Sequence, residues 1–462
     1  MHVIRTLKTT LTITSMVSLT RRFPINSKKK ATQFLIVLLF FIVLIGFYYK
    51  TEEQRKLSRV RRILETAMID DHTHSQHRAR NDSEIEERFQ NRRILLQKSC
   101  NQLQMEYDAA FRTDACREKM MKKHIAYISS PGPNLAVCLV EKAGSTFWLR
   151  ILQILSGYKD VFNPQEIETF SAYEGGFRTF EELSFGKVYD ILRKSIKVMF
   201  VRDPFSRLFS AYLDKFYNPN PPNWKYIGAE IVRTERKGVQ QVYCGHDVTF
   251  AEFVSFTLKW FDMNQCVEPH FSEIFRHCSP CDIDYTYIGK METIEQDTRY
   301  IISKLNQSNR VMFDDFTVDA EKNAVADAID WVFNMREDIE ACGVSFHEAL
   351  FRLWRRLQSR GILSKKDTFP FKPERSETIR KADLTNTLLQ LYISGNAADR
   401  KRNRVEVLLE AYSSVSDSLV SKLQQIFKID LKLFGYSELP DYIRYGREYS
   451  KVKPEFSFLE FT

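Results

Sequence analysis

Three hydrophobic patterns follow one another along the chain. The first is an unbroken apolar run, Phe34 to Tyr49 (FLIVLLFFIVLIGFYY). With Ala31, Thr32 and Gln33 it forms a charge-free segment, 31–49, long enough at about 1.5 Å per residue to cross a bilayer. The second pattern, over 50–125, is rich in charge and sparse in apolar residues (RVRRILETAMIDDHTHSQHRARNDSEIEERFQNRRILLQ). It reads as a partly helical, solvated stem without a core of its own. The third pattern begins near residue 134. LAVCLV (135–140), KVMFV (197–201) and YTYIG (285–289) are short apolar runs of the kind that form strands buried on both faces. Between them, WLRILQIL and FSRLFSAYLDKF carry apolar residues at helical spacing. Strands alternating with helices predict an α/β fold around a central parallel sheet. The segment 218–224, NPNPPNW, reads as a loop. Residues 320–425 read mostly as helices, and no internal repeat of solenoid length is visible.

Charge sharpens this division. The chain of 462 residues carries a formal net charge of +9, but its first fifty residues hold eight basic side chains and no acid. Without those eight, 60 basic residues face 59 acidic ones. The body is therefore nearly neutral, which argues against a broad nucleic-acid face and requires any anion site to be a local cluster. Lys28-Lys29-Lys30 immediately precedes the apolar run, so the positive-inside rule keeps residues 1–30 in the cytoplasm and sends the rest across the membrane. The alternative, a cleaved signal peptide, fits poorly: the run is long, starts late and ends in Phe47-Tyr48-Tyr49 without a small-residue cleavage site. A lumenal body would permit disulfides and N-glycans. Asn81-Asp82-Ser83 and Asn306-Gln307-Ser308 fit the glycan acceptor pattern. His72, His74 and His77 lie close together in the stem, but no partner set completes a metal site there.

The strand LAVCLV ends in Glu141-Lys142-Ala143-Gly144-Ser145-Thr146-Phe147, where a helix begins. Free amides and the helix dipole make such a place an anion site. Gly144 allows close backbone approach, Ser145 and Thr146 offer hydroxyls, and Lys142 brings a charge. The lysine precedes the glycine, so this is not a GxxxxGK[ST] loop, and no Mg²⁺ ligand set accompanies it. A second strand, KVMFV, ends in Arg202-Asp203-Pro204. Asp203 suits a helix N-cap and Pro204 its first turn. Arg202 at the strand end, with Ser210 two turns along the helix, is free to hold a second anionic group.

The pair K-x-G-S-T-x-W and V-R-D-P-F-x-R-L-x-S-A-Y-x-D-K-F resembles the Golgi carbohydrate sulfotransferases, most closely the chondroitin/dermatan 4-O-sulfotransferase group. CSPCDIDYTYIGKMET (278–293) and DLKLFGY (430–436) fit the same family. The resemblance implies a P-loop-like α/β sulfotransferase domain, taken as 126–440 between the stem and a C-terminal tail, 441–462. It implies 3′-phosphoadenosine-5′-phosphosulfate as donor substrate, with no metal. Lys142, Ala143, Gly144, Ser145, Thr146 and Phe147 would hold its 5′-phosphosulfate, and Arg202 with Ser210 its 3′-phosphate. It also implies a glycan acceptor, chondroitin- or dermatan-like, and a single-pass type II protein of the Golgi membrane with a lumenal catalytic domain.

Sulfuryl transfer, by analogy with phosphoryl transfer, needs positioning and charge neutralisation, for which Lys142 is the candidate. It also needs a base for the attacking hydroxyl. His270, in VEPHFSEIF, stands where related enzymes carry a histidine, a residue type suited to the role. His246 and His277 are poorer candidates, and an acidic base stays open. The chain departs from the family in carrying Glu141 where proline is usual, and Ser145 to Arg150 in place of Cys-Thr-Asn-Trp-Lys-Arg. An acid beside a phosphosulfate is unfavourable unless it points away. A catalytically silent relative and a lumenal nucleotide-dependent kinase are the competing readings. The eight cysteines leave 105 pairings open; disulfides are expected, with Cys138 a candidate free thiol.

Overall fold

All three apolar runs form strands in the computed structural model, joined by two more into one five-stranded sheet. The strands are β1 (Ile125–Ile128), β2 (Leu135–Cys138), β3 (Arg178–Thr179), β4 (Ile196–Val201) and β5 (Tyr287–Lys290), in the order β3-β1-β2-β4-β5. The structure describes residues 82–112, 117–129, 132–262, 267–452 and 456–461. The expected cytoplasmic tail 1–30 and membrane span 31–49, together with His72, His74, His77, Asn81, Cys116 and Cys266, lie outside them. Among the described residues no helix is long and apolar enough to cross a membrane.

Period-2 alternation divides each strand between two cores. Leu135 and Val137 of β2, with Val198 and Phe200 of β4, face one apolar layer. Ala136 and Cys138, with Met199 and Val201, face the other. Both faces are buried, so these strands read as continuous apolar runs. The expected parallel sheet holds only in part: β2, β4 and β5 are parallel, whereas β1 is antiparallel to both β2 and β3. Only residues 129–134 join β1 to β2, too few for a crossover, so the pair must run antiparallel.

Two stretches expected outside the core lie within it. The helix Asp82–Arg112 places Ile85, Phe89, Leu96, Cys100, Leu103 and Tyr107 on one buried stripe. Their three-, four- and seven-residue spacing is a regular helical face, hidden in the sequence by the surrounding charge. Arg88 and Arg92 of this helix each reach Asp297, fully buried, at 2.7 Å. Beyond residue 440, Ile443, Tyr449 and Phe458 are buried, and the Tyr442 hydroxyl donates to Asp203.

The cysteines tie these layers together. Cys138 is not free: it pairs with Cys278, while Cys281 pairs with Cys100 and Cys244 with Cys342. The helices Phe316–Asn334, Phe346–Ser359 and Lys381–Ser394 share a separate apolar cluster with Trp224. Thus the long segment 306–404 is a helical layer packed beside the sheet domain.

Candidate functional site

Two strand ends meet at the site. After β2 the chain turns through Lys142 (φ 63°) and Gly144 (φ 88°) into the helix Ser145–Leu155. A left-handed lysine is uncommon and strained, the kind of backbone found where a loop is shaped for a ligand. At Gly144 a Cβ would also come within 3.2 Å of the Ile294 side chain. Gly144 offers the helix no side-chain cap, and the first helical bond is Trp148 N–H to Gly144 O, 3.0 Å. The amides of Ser145, Thr146 and Phe147 make no hydrogen bond among the described residues. They form an open anion nest at a helix N-terminus. Ala143 and the Phe147 ring are buried, so both contribute through the backbone. Ser145 is half-buried, and the Thr146 hydroxyl meets Tyr173 OH at 2.9 Å.

After β4, Asp203 caps the helix Pro204–Tyr212 by accepting from Ser206 N–H at 2.7 Å. Arg202 Nε donates to Ser206 Oγ (3.0 Å), and its Nη1 donates to the Lys142 carbonyl (3.3 Å). Arg202 makes no ion pair among the described residues. Ser210 follows Ser206 by one turn and is half-buried. The structure therefore brings the Lys142–Phe147 loop and Arg202 into direct contact.

The lysine amine faces the other way. Lys142 Nζ lies 3.1 Å from Asp214, which also meets Arg356 at 3.0 Å and Lys215 at 3.7 Å. Asp214 sits on a π-helical turn, Leu213–Tyr217, that interrupts the helical path. Burial pushes the Lys142 amine down to about 8, against the pull of Asp214. Burial would raise the Asp214 carboxyl, but Lys142, Arg356 and Lys215, helped by His270, hold it far below the carboxylate range. His270 is thus an electrostatic neighbour of the same carboxylate. Its Nδ1 meets Glu268 Oε1 at 2.6 Å, while its backbone N–H donates to Glu268 Oε2 at 2.8 Å. His246 is instead bound to Arg352, and His277 is fully buried beside Ser272.

Glu141 points away from the nest. Its carboxylate lies 2.9 Å from His124 Nε2 and 3.2 Å from His277 Nδ1. Burial would raise this carboxyl, but its contacts with His124 and His277 hold it well below the usual range. Burial pulls His124 down, yet Glu141 raises it overall, whereas burial takes His277 down to about 4. The three ligand-type atoms lie within 4.8 Å of one another, a spacing that suits a cation, and they already engage each other.

Sequence reasoning missed five supporting residues. Asp214, Arg356 and Glu268 carry no local signature of their roles. Arg207, 2% exposed, donates to the carbonyls of Glu141 (2.8 Å), Ser272 (2.5 Å) and Pro269 (2.6 Å), bracing the loops on either side of Lys142 and His270. Asp430 of DLKLFGY accepts from Ile274 N–H (2.6 Å) and Phe275 N–H (2.9 Å), holding the short helix that carries His277 and Cys278.

Comparison with known proteins adds an independent finding. Residues 126–336 match the model of a sulfotransferase family. Carbohydrate sulfotransferase 11 of Mus musculus is 31% identical over 218 residues, 44% of this chain and 61% of that protein. Carbohydrate sulfotransferase 14 of Danio rerio is 30% identical over 234 residues, 50% of this chain and 61% of the relative. Carbohydrate sulfotransferase 8 of Homo sapiens is 28% identical over 232 residues, 49% and 52% respectively. The chain thus spans less than two thirds of these relatives' length. No solved structure matches. Across its site-bearing region the chain is similar to the carbohydrate sulfotransferases.

Proposed function

We propose that the sulfotransferase-family region makes this chain a carbohydrate O-sulfotransferase, moving a sulfuryl group from 3′-phosphoadenosine-5′-phosphosulfate to a sugar hydroxyl. The observation that carries the reading is the joining of two anion sites at adjacent parallel strand ends, with Arg202 Nη1 on the Lys142 carbonyl. Such a pair fits a ligand with two separate anionic groups. The amides of Ser145 to Phe147 and the hydroxyls of Ser145 and Thr146 would hold the 5′-phosphosulfate. Arg202, with Ser210, would hold the 3′-phosphate.

In this reading Lys142 neutralises the oxygen that leaves as the sulfur–oxygen bond breaks. With Glu268 accepting from Nδ1–H, the Nε2 lone pair of His270 is left to take the acceptor hydroxyl's proton. Glu141 does not oppose the donor, since His124 and His277 hold its carboxylate. That removes the main sequence argument for a silent relative. The chain would be a type II Golgi membrane protein, with residues 1–30 cytoplasmic, 31–49 as anchor and the body lumenal. The acceptor would be a glycan of the chondroitin or dermatan kind. The test is transfer of label from radiolabelled phosphosulfate donor to chondroitin, desulfated dermatan, heparosan and glucuronyl-terminated N-glycans. Label in one glycan supports the assignment, whereas donor binding without transfer to any glycan favours the silent relative.

A further inference from the structure

Among the described residues, one group of histidine and acidic side chains has the spacing of a metal site, and it lies behind the loop that carries Lys142. Its members come from three segments. His124 ends the helix Arg117–His124 just before β1, Glu141 follows β2, and His277 lies in the helix Ile274–Cys278. The Cys138–Cys278 disulfide fastens two of these segments beside the group, so those sulfurs are not free to act as thiolate ligands.

Each imidazole is oriented from its far side. His124 Nδ1 meets the Met120 carbonyl at 2.7 Å, and His277 Nε2 meets Ser272 Oγ. A carbonyl only accepts, so His124 Nδ1 carries a proton, and the Nε2 lone pair of a neutral ring faces Glu141 Oε1 at 2.9 Å. Two lone pairs repel at that distance unless a cation stands between them, either a second ring proton or a metal ion. His277 Nδ1 and Glu141 Oε2, 3.2 Å apart, are both buried, and neither makes a hydrogen bond among the described residues. Buried polar atoms of a native fold are normally satisfied, so this pair calls for a shared partner. Ligand atoms held at about 2.0–2.1 Å from zinc stand about 3.3 Å apart in a tetrahedron, close to both separations. A ring whose second nitrogen is held by a carbonyl or hydroxyl is also how a ligating histidine is fixed in place.

We propose that His124 Nε2, Glu141 and His277 Nδ1 bind one zinc ion. Two imidazoles with one carboxylate favour zinc over magnesium or calcium, which take oxygen ligands. Both histidines are buried, and the partly exposed Glu141 is the way in for the ion. The role is structural. The ion ties the residue before Lys142 to the segments that end at His124 and carry His277, and it does so behind the anion nest, because Glu141 points away from that nest. The proposal is independent of the sulfotransferase reading.

The experiment uses the full chain, purified in detergent, stripped with a chelator and returned to zinc, magnesium or cobalt(II). His72, His74 and His77 are a rival zinc source, so a chain carrying His72→Ala, His74→Ala and His77→Ala is measured alongside. That stem variant should still take up one equivalent of zinc, and zinc but not magnesium should raise its melting temperature. Cobalt(II) should give it the intense visible bands of four-coordinate ligation without a sulfur charge-transfer band. Adding Glu141→Gln should weaken zinc about a hundredfold or more. The proposal is overturned if the stem variant takes up no zinc, if magnesium stabilises it equally, or if its cobalt spectrum is six-coordinate or sulfur-ligated. It is overturned too if folded Glu141→Gln binds zinc unchanged. Should Glu141→Gln fail to fold, the stoichiometry and cobalt spectrum of the stem variant decide alone.

Discussion

Replacing Asp214 by Asn should move the alkaline limb of the reaction, and the direction follows from the geometry. In the proposed mechanism Lys142 acts as a cation; burial brings its amine down to about 8, so in the wild type kcat/KM for the donor should fall as pH rises through that value. At 3.1 Å the Asp214 charge interacts with the amine by about 5 kcal/mol for an effective dielectric near 20. That is an upper bound, because Asp214 also serves Arg356 and Lys215 and both partners are partly solvated. A net loss of roughly 1–2 pKa units, about 1.4–2.7 kcal/mol, is the expected effect. The sign is definite: the variant removes an anion and leaves two cations, so the amine loses its proton at lower pH. A limb moved to about 6.5 would cut kcat/KM about eightfold near pH 7.5 and scarcely at all near pH 5.5. The assay is the pH profile of kcat/KM for labelled donor at fixed acceptor. A limb that stays in place while the rate falls uniformly would refute the reasoning and reduce Asp214 to a structural role.

Three other variants test separate parts of the site. Arg202→Ala should weaken the donor product by about 2 kcal/mol, roughly thirtyfold, in a calorimetric titration; unchanged affinity would remove Arg202 from the donor site. His270→Ala should lower kcat far more than it changes donor affinity, and an unchanged kcat would end its candidacy as base. Glu141→Gln should cost about 3 kcal/mol in denaturant unfolding, because it leaves two buried imidazoles without their anion. The pH dependence has two signs. Glu141 has a lowered pKa, so its contribution is present above the ordinary carboxylate value and is lost as pH falls through the depressed one. His124 has a raised pKa, so its contribution is present below 6.5 and is lost as pH rises through the raised value. The gap between wild type and variant should therefore be widest between about pH 5 and 6.5, and a gap that grows toward alkaline pH would show the pairing to be misassigned.

What could be read in the sequence was local. The runs at β2, β4 and β5 announced themselves because both faces are buried, and Asp203-Pro204 announced a helix start because cap chemistry is confined to a few residues. β1 and β3 span four residues and two, too short for a period to show. The helix Asp82–Arg112 was hidden by its composition: its stripe is regular, but Arg88 and Arg92 look like stem charges until Asp297 appears across from them. The paired cysteines are 98 to 181 residues apart, a separation that no spacing rule predicts. At the site, the loop and Arg202 were legible as strand-to-helix turns. Asp214 was inside a recognised motif without a role, because its role depends on Arg356, 142 residues away. Glu141 was legible only as an anomaly, since nothing local says that His124 and His277 stand behind it.

Arg207 shows why these distant parts must act together. It is buried as a cation, and its hydrogen bonds go not to carboxylates but to three carbonyls, of Glu141, Pro269 and Ser272. Burying a guanidinium on neutral acceptors is costly, and here its donors bind two loops that the Cys138–Cys278 disulfide and the Glu141–His277 contact also link. Pro269 and Ser272 bracket His270, and Glu141 precedes Lys142. One side chain thus bridges the loop that would hold the sulfuryl donor and the loop that would hold the base. The charges of Glu141, Asp430, Glu268 and Glu273 stand around it and offset part of the burial. Glu268 positions His270 and Glu141 precedes Lys142, so two of the anions that steady Arg207 belong to the loops it braces. The acid that departs from the pattern of the resembling family therefore has a structural place beside the proposed site: its carbonyl anchors Arg207, its carboxylate meets the two buried histidines, and its backbone leads into the strained lysine.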